Sequence, residues 1–184
     1  TDAGTRVTSY DYDAWNRVIT KADDSGLQTV VLMSYVYDFA GNVLSEKDAL
    51  GRTTTYQYDR LNRLKWTVLP DPDGPGPLAS STLLRTYDAV GNVLTDRDAL
   101  LRTTTYIYDA LNRVIRITEP DPDWSTGPLT SPVTNYTYDA AGNLLSEKNA
   151  LNRVTTYDYD EWNRRTKTHL PTLTVGGTTY NVTQ

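Results

Sequence analysis

YDAVGNVLTDRDALLRTTTYIYDALNR, Tyr87 to Arg113, contains one phrase three times: an aspartate, two small or apolar residues, a fourth residue, then asparagine or arginine. The fourth place holds Gly91, Leu101 and Asn112. An aspartate that opens a turn can cap backbone N–H groups with its own carboxylate, and a later residue with φ > 0 is tolerated by Gly at no cost and by Asn at little. Glycine and asparagine therefore exchange because the backbone selects them. Leu101, and Thr5 in an earlier copy, break the rule, so those turns carry strain or use another geometry.

Between the phrases lie short runs rich in Thr, Tyr, Val, Ile and Leu, such as RTTTYIY (Arg102 to Tyr108) and RVIRIT (Arg113 to Thr118). Short strands joined by tight turns are hairpins, which predicts an all-β chain. Alternation places Thr104, Tyr106 and Tyr108 on one face and Thr103, Thr105 and Ile107 on the other. Neither face is strongly apolar, and the pattern fits a thin curved wall more than half of a sandwich.

The whole stretch recurs. Tyr37 to Arg63 and Tyr138 to Arg164 repeat it at intervals of 50 and then 51 residues. TDAGTRVTSYDYDAWNR, Thr1 to Arg17, matches its second half, so the chain begins inside a unit and reads as a fragment or processed piece. The expected division is one continuous array: a partial unit at 1–34, then units at 35–81, 82–132 and 133–184. Each unit should be a four-stranded antiparallel meander in a spiral or solenoid-like wall, with blades of a β-propeller as the alternative. The expected turn residues are Asp38, Gly41, Asp59, Asn62, Asp88, Gly91, Asp109, Asn112, Asp139, Gly142, Asp160 and Asn163. Tyr37, Tyr87 and Tyr138 in one register, and Tyr58, Tyr108 and Tyr159 in another, should stack as ladders joining the units, at roughly 0.2 to 1 kcal/mol per cross-strand pair.

Composition narrows the function classes. The 184 residues carry a formal charge of -5 and no cluster of Lys and Arg, which argues against a nucleic-acid surface. There is no membrane-spanning run, and without cysteine no disulfide contributes. The connectors LPDPDGPGPLASS (Leu69 to Ser81) and EPDPDWSTGPLTSP (Glu119 to Pro132) share PDPD and GPL, and their prolines exclude interior strand pairing. They should be ordered excursions, whereas KADDSGLQTV (Lys21 to Val30) should be a plainer hairpin. Asp71 with Asp73, and Asp121 with Asp123, supply too few oxygens for calcium by themselves and read as solvated loop acids. His169, the single histidine, has no partner set for catalysis or metal binding.

Arg17, Arg63, Arg113 and Arg164 follow Asp13, Asp59, Asp109 and Asp160 by four residues. A local ion pair across the turn is the simplest reading, worth about 0 to 1 kcal/mol if exposed. Glycan binding by Arg, Tyr and exposed Trp15, Trp124 and Trp162 is the alternative. Trp15 and Trp162 replace the turn residues Leu61 and Leu111, which predicts that they are packed. Asn135-Tyr-Thr and Asn181-Val-Thr fit the glycosylation sequon.

The string YDxxGNxxxxxDxxGRTTxYxYDxLNR resembles the YD or RHS repeat of bacterial Rhs proteins, toxin-complex shell subunits and teneurin-like ectodomains. Seven Tyr-Asp marks, at Tyr12, Tyr37, Tyr58, Tyr87, Tyr108, Tyr138 and Tyr159, fall in frame. The resemblance implies a hollow β-shell that encloses a cargo polypeptide in the toxins, and a secreted or surface location. It carries over no catalytic residue, cofactor or metal. The expected function is a non-catalytic scaffold, the regular units building an extracellular fibre or tube. A shell around a toxin polypeptide is the alternative, and a glycan-binding or adhesion module the second. The implied partners are copies of the chain or neighbouring repeats of a longer parent, an enclosed toxin polypeptide, and glycans.

Overall fold

The computed structural model describes residues 7–24, 28–74, 76, 78–124, 127–175 and 178–183. Among them there are only strands and turns. The strands are β1 (Val7–Tyr12), β2 (Val18–Asp24), β3 (Thr29–Tyr37), β4 (Val43–Asp48), β5 (Thr53–Tyr58), β6 (Leu64–Val68) and β7 (Thr82–Tyr87). They continue as β8 (Val93–Arg97), β9 (Thr103–Tyr108), β10 (Val114–Thr118), β11 (Val133–Tyr138), β12 (Leu144–Lys148), β13 (Val154–Tyr159), β14 (Arg165–Val175) and β15 (Thr178–Thr183). The all-β, four-strand repeat expected from sequence is present as β3–β6, β7–β10 and β11–β14. Thr5 lies outside the described residues, as does the side chain of Asn181.

The chain divides into two compact units, Thr1–Arg85 with Arg97–Leu101, and Thr86–Asp96 with Arg102–Gln184. In the first, each strand from β1 to β6 pairs antiparallel with the next, and β6 continues into β7 through Trp66↔Leu84, Thr67↔Leu83 and Val68↔Thr82. In the second, the same order runs from β9 to β15, with β10 passing to β11 through Arg116↔Asn135. This continuity corrects the propeller alternative. A blade ends its sheet at its fourth strand, whereas here the fourth strand hydrogen-bonds to the first strand of the next repeat.

An up-and-down meander puts its turns on two edges. Within each unit one edge carries the opening turns (38–42 in the first; 88–92 and 139–143 in the second) and the closing turns (13–17 and 59–63; 109–113 and 160–164). The other carries a far turn (48–52, 98–102, 149–153) and the connectors. Six hairpins on the first edge share a β-bulge beside the tyrosine: Gln57 pairs with Trp66 and Tyr58 with Leu64, leaving Lys65 as the extra residue. Such bulges sharpen the right-handed twist at a strand end. No sequence pattern used above announces them.

Opposed residues share a face, so Val36, Ser45, Thr55, Val68 and Thr82 form one row, and Tyr35, Glu46 and Thr54 a row on the other side. With one layer there is nowhere to bury a core. Among the described residues only Ala22 and Thr67 are buried, and no side chain is wholly enclosed. Stability must therefore come from ladders, half-buried tyrosines and turns.

Candidate functional site

Because the described sheet has no core, the recurring turns along the first edge, each closed by its own aspartate, are the candidate site. Each closing turn is built the same way. The Asp13 carbonyl accepts from Asn16 N–H at 3.0 Å, and the Asp13 N–H donates to the Arg17 carbonyl at 2.9 Å. Asp13 Oδ1 accepts from the N–H groups of Trp15 and Arg17, at 2.9 and 3.0 Å, while Oδ2 takes Arg17 Nε at 2.7 Å. Asn16 has φ of 60°, and Asn62, Asn112 and Asn163 have 59°, 61° and 59°. Opening turns place Gly41, Gly91 and Gly142 there, at 92°, 108° and 97°. Asp38, Asp88 and Asp139 cap them, each holding the side-chain amide of the following Asn42, Asn92 or Asn143 at 2.8 Å.

The turns are also tied to one another, and the ties alternate. From a closing turn to the next opening turn, arginine is the link: Arg17 Nη1 donates to the Asp38 carbonyl at 2.8 Å, and Arg113 Nη1 to the Asp139 carbonyl at 2.7 Å. The same guanidinium groups lie over the Tyr37 and Tyr138 rings, 4.5 and 4.7 Å from the centroids. The tyrosine returns the contact, its hydroxyl donating to the carbonyl of the residue after the arginine, Val18 at 2.7 Å or Val114 at 2.9 Å. From an opening turn to the next closing turn the link is neutral. Asn42 Nδ2 donates to Asn62 Oδ1, Asn92 to Asn112 and Asn143 to Asn163, at 2.8 to 2.9 Å.

Two residue types thus do more than local reasoning assigns them. The turn asparagine accepts φ > 0 and also receives the neighbouring turn. The arginine pairs within its own turn and reaches a second turn as well. Asn112→Gly would keep the backbone but lose the Asn92 bridge, so it is expected to cost about 0.5 kcal/mol for an exposed neutral bond. A urea midpoint equal to that of the parent would show that the bridge contributes nothing.

Tyr58, Tyr108 and Tyr159 donate to the carbonyls of Val43, Val93 and Leu144 at 3.0, 2.9 and 3.1 Å. Deeper in the sheet, burial followed by the 2.7 Å bond to Glu46 pushes the Tyr56 hydroxyl up to about 12. Burial raises Tyr58, Tyr108, Tyr136 and Tyr138 too.

The turn carboxyls move the other way. The Arg113 side chain holds Asp109 below the ordinary carboxylate range, Arg52 does so for Asp48, and the Asn42 and Asn143 amides do so for Asp38 and Asp139. For Asp160 the Arg164 backbone N–H leads. At Asp13, Asp59 and Asp88 desolvation is the largest single influence and acts upward, but the combined hydrogen bonds outweigh it.

The remaining sequence candidates are scattered. Trp15 and Trp162 are 68% and 66% exposed, which corrects the expectation of packing: each sits in the middle of its five-residue turn and projects from the sheet edge, covered on one face by Arg17 or Arg164 at 5.1 or 5.0 Å. Trp124 is exposed in its connector. Asp71 and Asp121 accept from the Asp73 and Asp123 N–H groups, and Asp73 and Asp123 accept from Leu78 and Leu129 N–H. A Cβ at Gly76 or Gly127 would overlap the Asp73 or Asp123 carboxylate. Among the described residues no group of three or more His, Cys, Asp or Glu is placed to hold a metal. His169 pairs with Asp158 at 2.8 Å across β13 and β14, and Asn135 lies within β11 opposite Arg116 and Lys148.

A sequence model of the family described as RHS Repeat matches residues 37–75, 87–122 and 126–175. No curated protein matches the sequence. Among solved structures, the crystal structure of TcdB2-TccC3 without its hypervariable C-terminal region is similar with a TM-score of 0.67 and 23% identity, over 88% of this chain and 9% of that one. TcdB2-TccC3-TEV gives 0.63 and 18%, over 96% and 12%. The Photorhabdus luminescens Tc holotoxin pore gives 0.62 and 18%, over 95% and 11%. The likeness is one of fold, and this chain spans about a tenth of the length of each.

Proposed function

The chain belongs to the RHS repeat family, and from that membership we propose that it is a length of non-catalytic wall in a secreted or surface protein, assembled from repeats rather than around an active site. The alternating arginine and asparagine ties carry this reading, because they recur with the repeat and join neighbouring hairpins within each unit. Catalysis needs one asymmetric constellation, whereas these groups return once per unit and spend their hydrogen bonds on backbone and one another. The building block is the repeat, at 35–81, 82–132 and 133–184, after a partial unit at 1–34. No described helix is long and apolar enough to cross a membrane.

The regular period suits a fibre or tube, while the fold shared with toxin-complex chains favours a shell around a toxin polypeptide. We therefore place the shell first. Electron microscopy of the natively isolated full-length protein separates the two. Discrete hollow particles with internal density support the shell, and continuous filaments with an axial repeat set by whole units support the fibre.

Glycan binding is a second reading, favoured by the exposed Trp15, Trp124 and Trp162. A glycan array probed with the chain should light up only if that reading holds.

A further inference from the structure

The two kinds of tie on the turn edge differ in charge, and that difference has a location. From β2 to β3 and from β10 to β11 the link is the arginine clamp, held in place by the carboxylate of Asp13 or Asp109. From β4 to β5 and from β12 to β13 the link is an asparagine bridge that carries no charge itself, its donor amide resting on the Asp38 or Asp139 carboxylate. The far turn between β12 and β13 is capped by Asn149, whose Oδ1 accepts from Leu151 and Arg153 N–H at 3.0 Å each. That hairpin is therefore closed at one edge by a cap that does not titrate and tied at the other by a neutral bridge. We propose that the β10–β11 step, and with it β2–β3, is an acid-sensitive parting line at which the wall separates between repeats while the β12–β13 hairpin, with its neutral Asn149 cap, stays closed.

Asp109 and Arg113 are faced by Tyr138 and Asp139 from β11 and its turn, and by Tyr108 and, through the Asn92 to Asn112 bridge, the turn of Asp88 on the other side. Farther along these strands lie Glu119, Tyr136 and Glu147, and across the ladder Arg116 and Lys148 flank Asn135. For Asp13 and Arg17 the facing groups are Trp15, Tyr37 and Asp38. A protonated aspartate is a weaker acceptor and no longer pairs with arginine, so Arg113 loses the contact that fixes its position over Tyr138. The folded-state carboxyls lie below the unfolded value of about 3.9, so their contribution is complete above about pH 5 and is lost as pH falls through the folded-state values. Asn149 does not titrate in that window, and although Asp139 does, the neutral Asn143 amide can still donate to its protonated carboxyl, whereas Arg113 loses an ion pair.

Hydrogen exchange of the 184-residue chain between pH 7 and pH 2.5, corrected for intrinsic rates, tests this. The amides of Arg116–Thr118 and Val133–Asn135 should lose protection first, by roughly tenfold relative to Ser146–Lys148 and Val154–Thr156. Asp109→Asn should produce the same differential at pH 7 and flatten its further pH dependence. Simultaneous loss across both ladders, or earlier loss in β12–β13, overturns the proposal. Should Asp109→Asn fail to fold, the pH series of the parent chain decides alone.

Discussion

Arg113→Ala is expected to lower stability by about 2 kcal/mol, read as a shifted urea midpoint, because one side chain serves two hairpins. The guanidinium donates to the Asp139 carbonyl at 2.7 Å, covers the Tyr138 ring at 4.7 Å and pairs with Asp109 at 2.7 Å. The pair itself is discounted as a surface interaction. Most of the effect comes from the half-buried carbonyl left without its donor and from the uncovered ring. Arg113→Lys keeps the charge but not the planar fork, so it should recover less than half. Arg164 provides the contrast. It keeps the turn pair with Asp160 at 2.7 Å, yet 71% of its side chain is exposed, and Arg164→Ala should fall within about 0.5 kcal/mol of the parent. Equal losses at the two positions would mean that the arginine works only inside its own turn.

That contrast marks where reading the sequence stops. Strand number and antiparallel order were legible because each is set within about ten residues by a turn phrase and an alternating run. The arginine was legible only as a local partner, four residues from its aspartate. Arg17 reaches Asp38, 21 residues on, whereas Arg113 reaches Asp139, 26 residues on, across a connector of different length. Nothing in the spacing signals that both land on the same atom of equivalent turns. It takes the meander to lay the two turns side by side. Asn112 is similar, since φ > 0 accounts for its presence before the Asn92 bridge is considered. The exposed Trp15 and Trp162 were misread for a related reason. An apolar residue at a recurring position suggests a core, but a single-layer sheet projects its turn tips into solvent.

Leu101→Asn is expected to stabilise the chain by about 1 kcal/mol, an uncommon direction for a point substitution. Leu101 sits in a far turn with φ of 64°, in the left-handed region, where Gly51 and Asn152 stand in the other two repeats at 80° and 59°. The turn closes despite the leucine, with Leu101 N–H donating to the Asp98 carbonyl at 3.0 Å, so the backbone geometry is kept and the Cβ penalty remains. The side chain is 58% exposed, and little apolar burial is lost on replacing it. Leu101→Gly should gain less, because glycine adds freedom to the unfolded chain as it relieves the folded one. Leu101→Ala removes the same apolar surface but retains the Cβ, and should gain nothing. A higher urea midpoint at unchanged m for Asn, with Ala level or below, assigns the strain to the turn backbone. If Asn and Ala both destabilise, the leucine is held there by a contact its exposure conceals, and the far turn of that repeat has a role the other two lack.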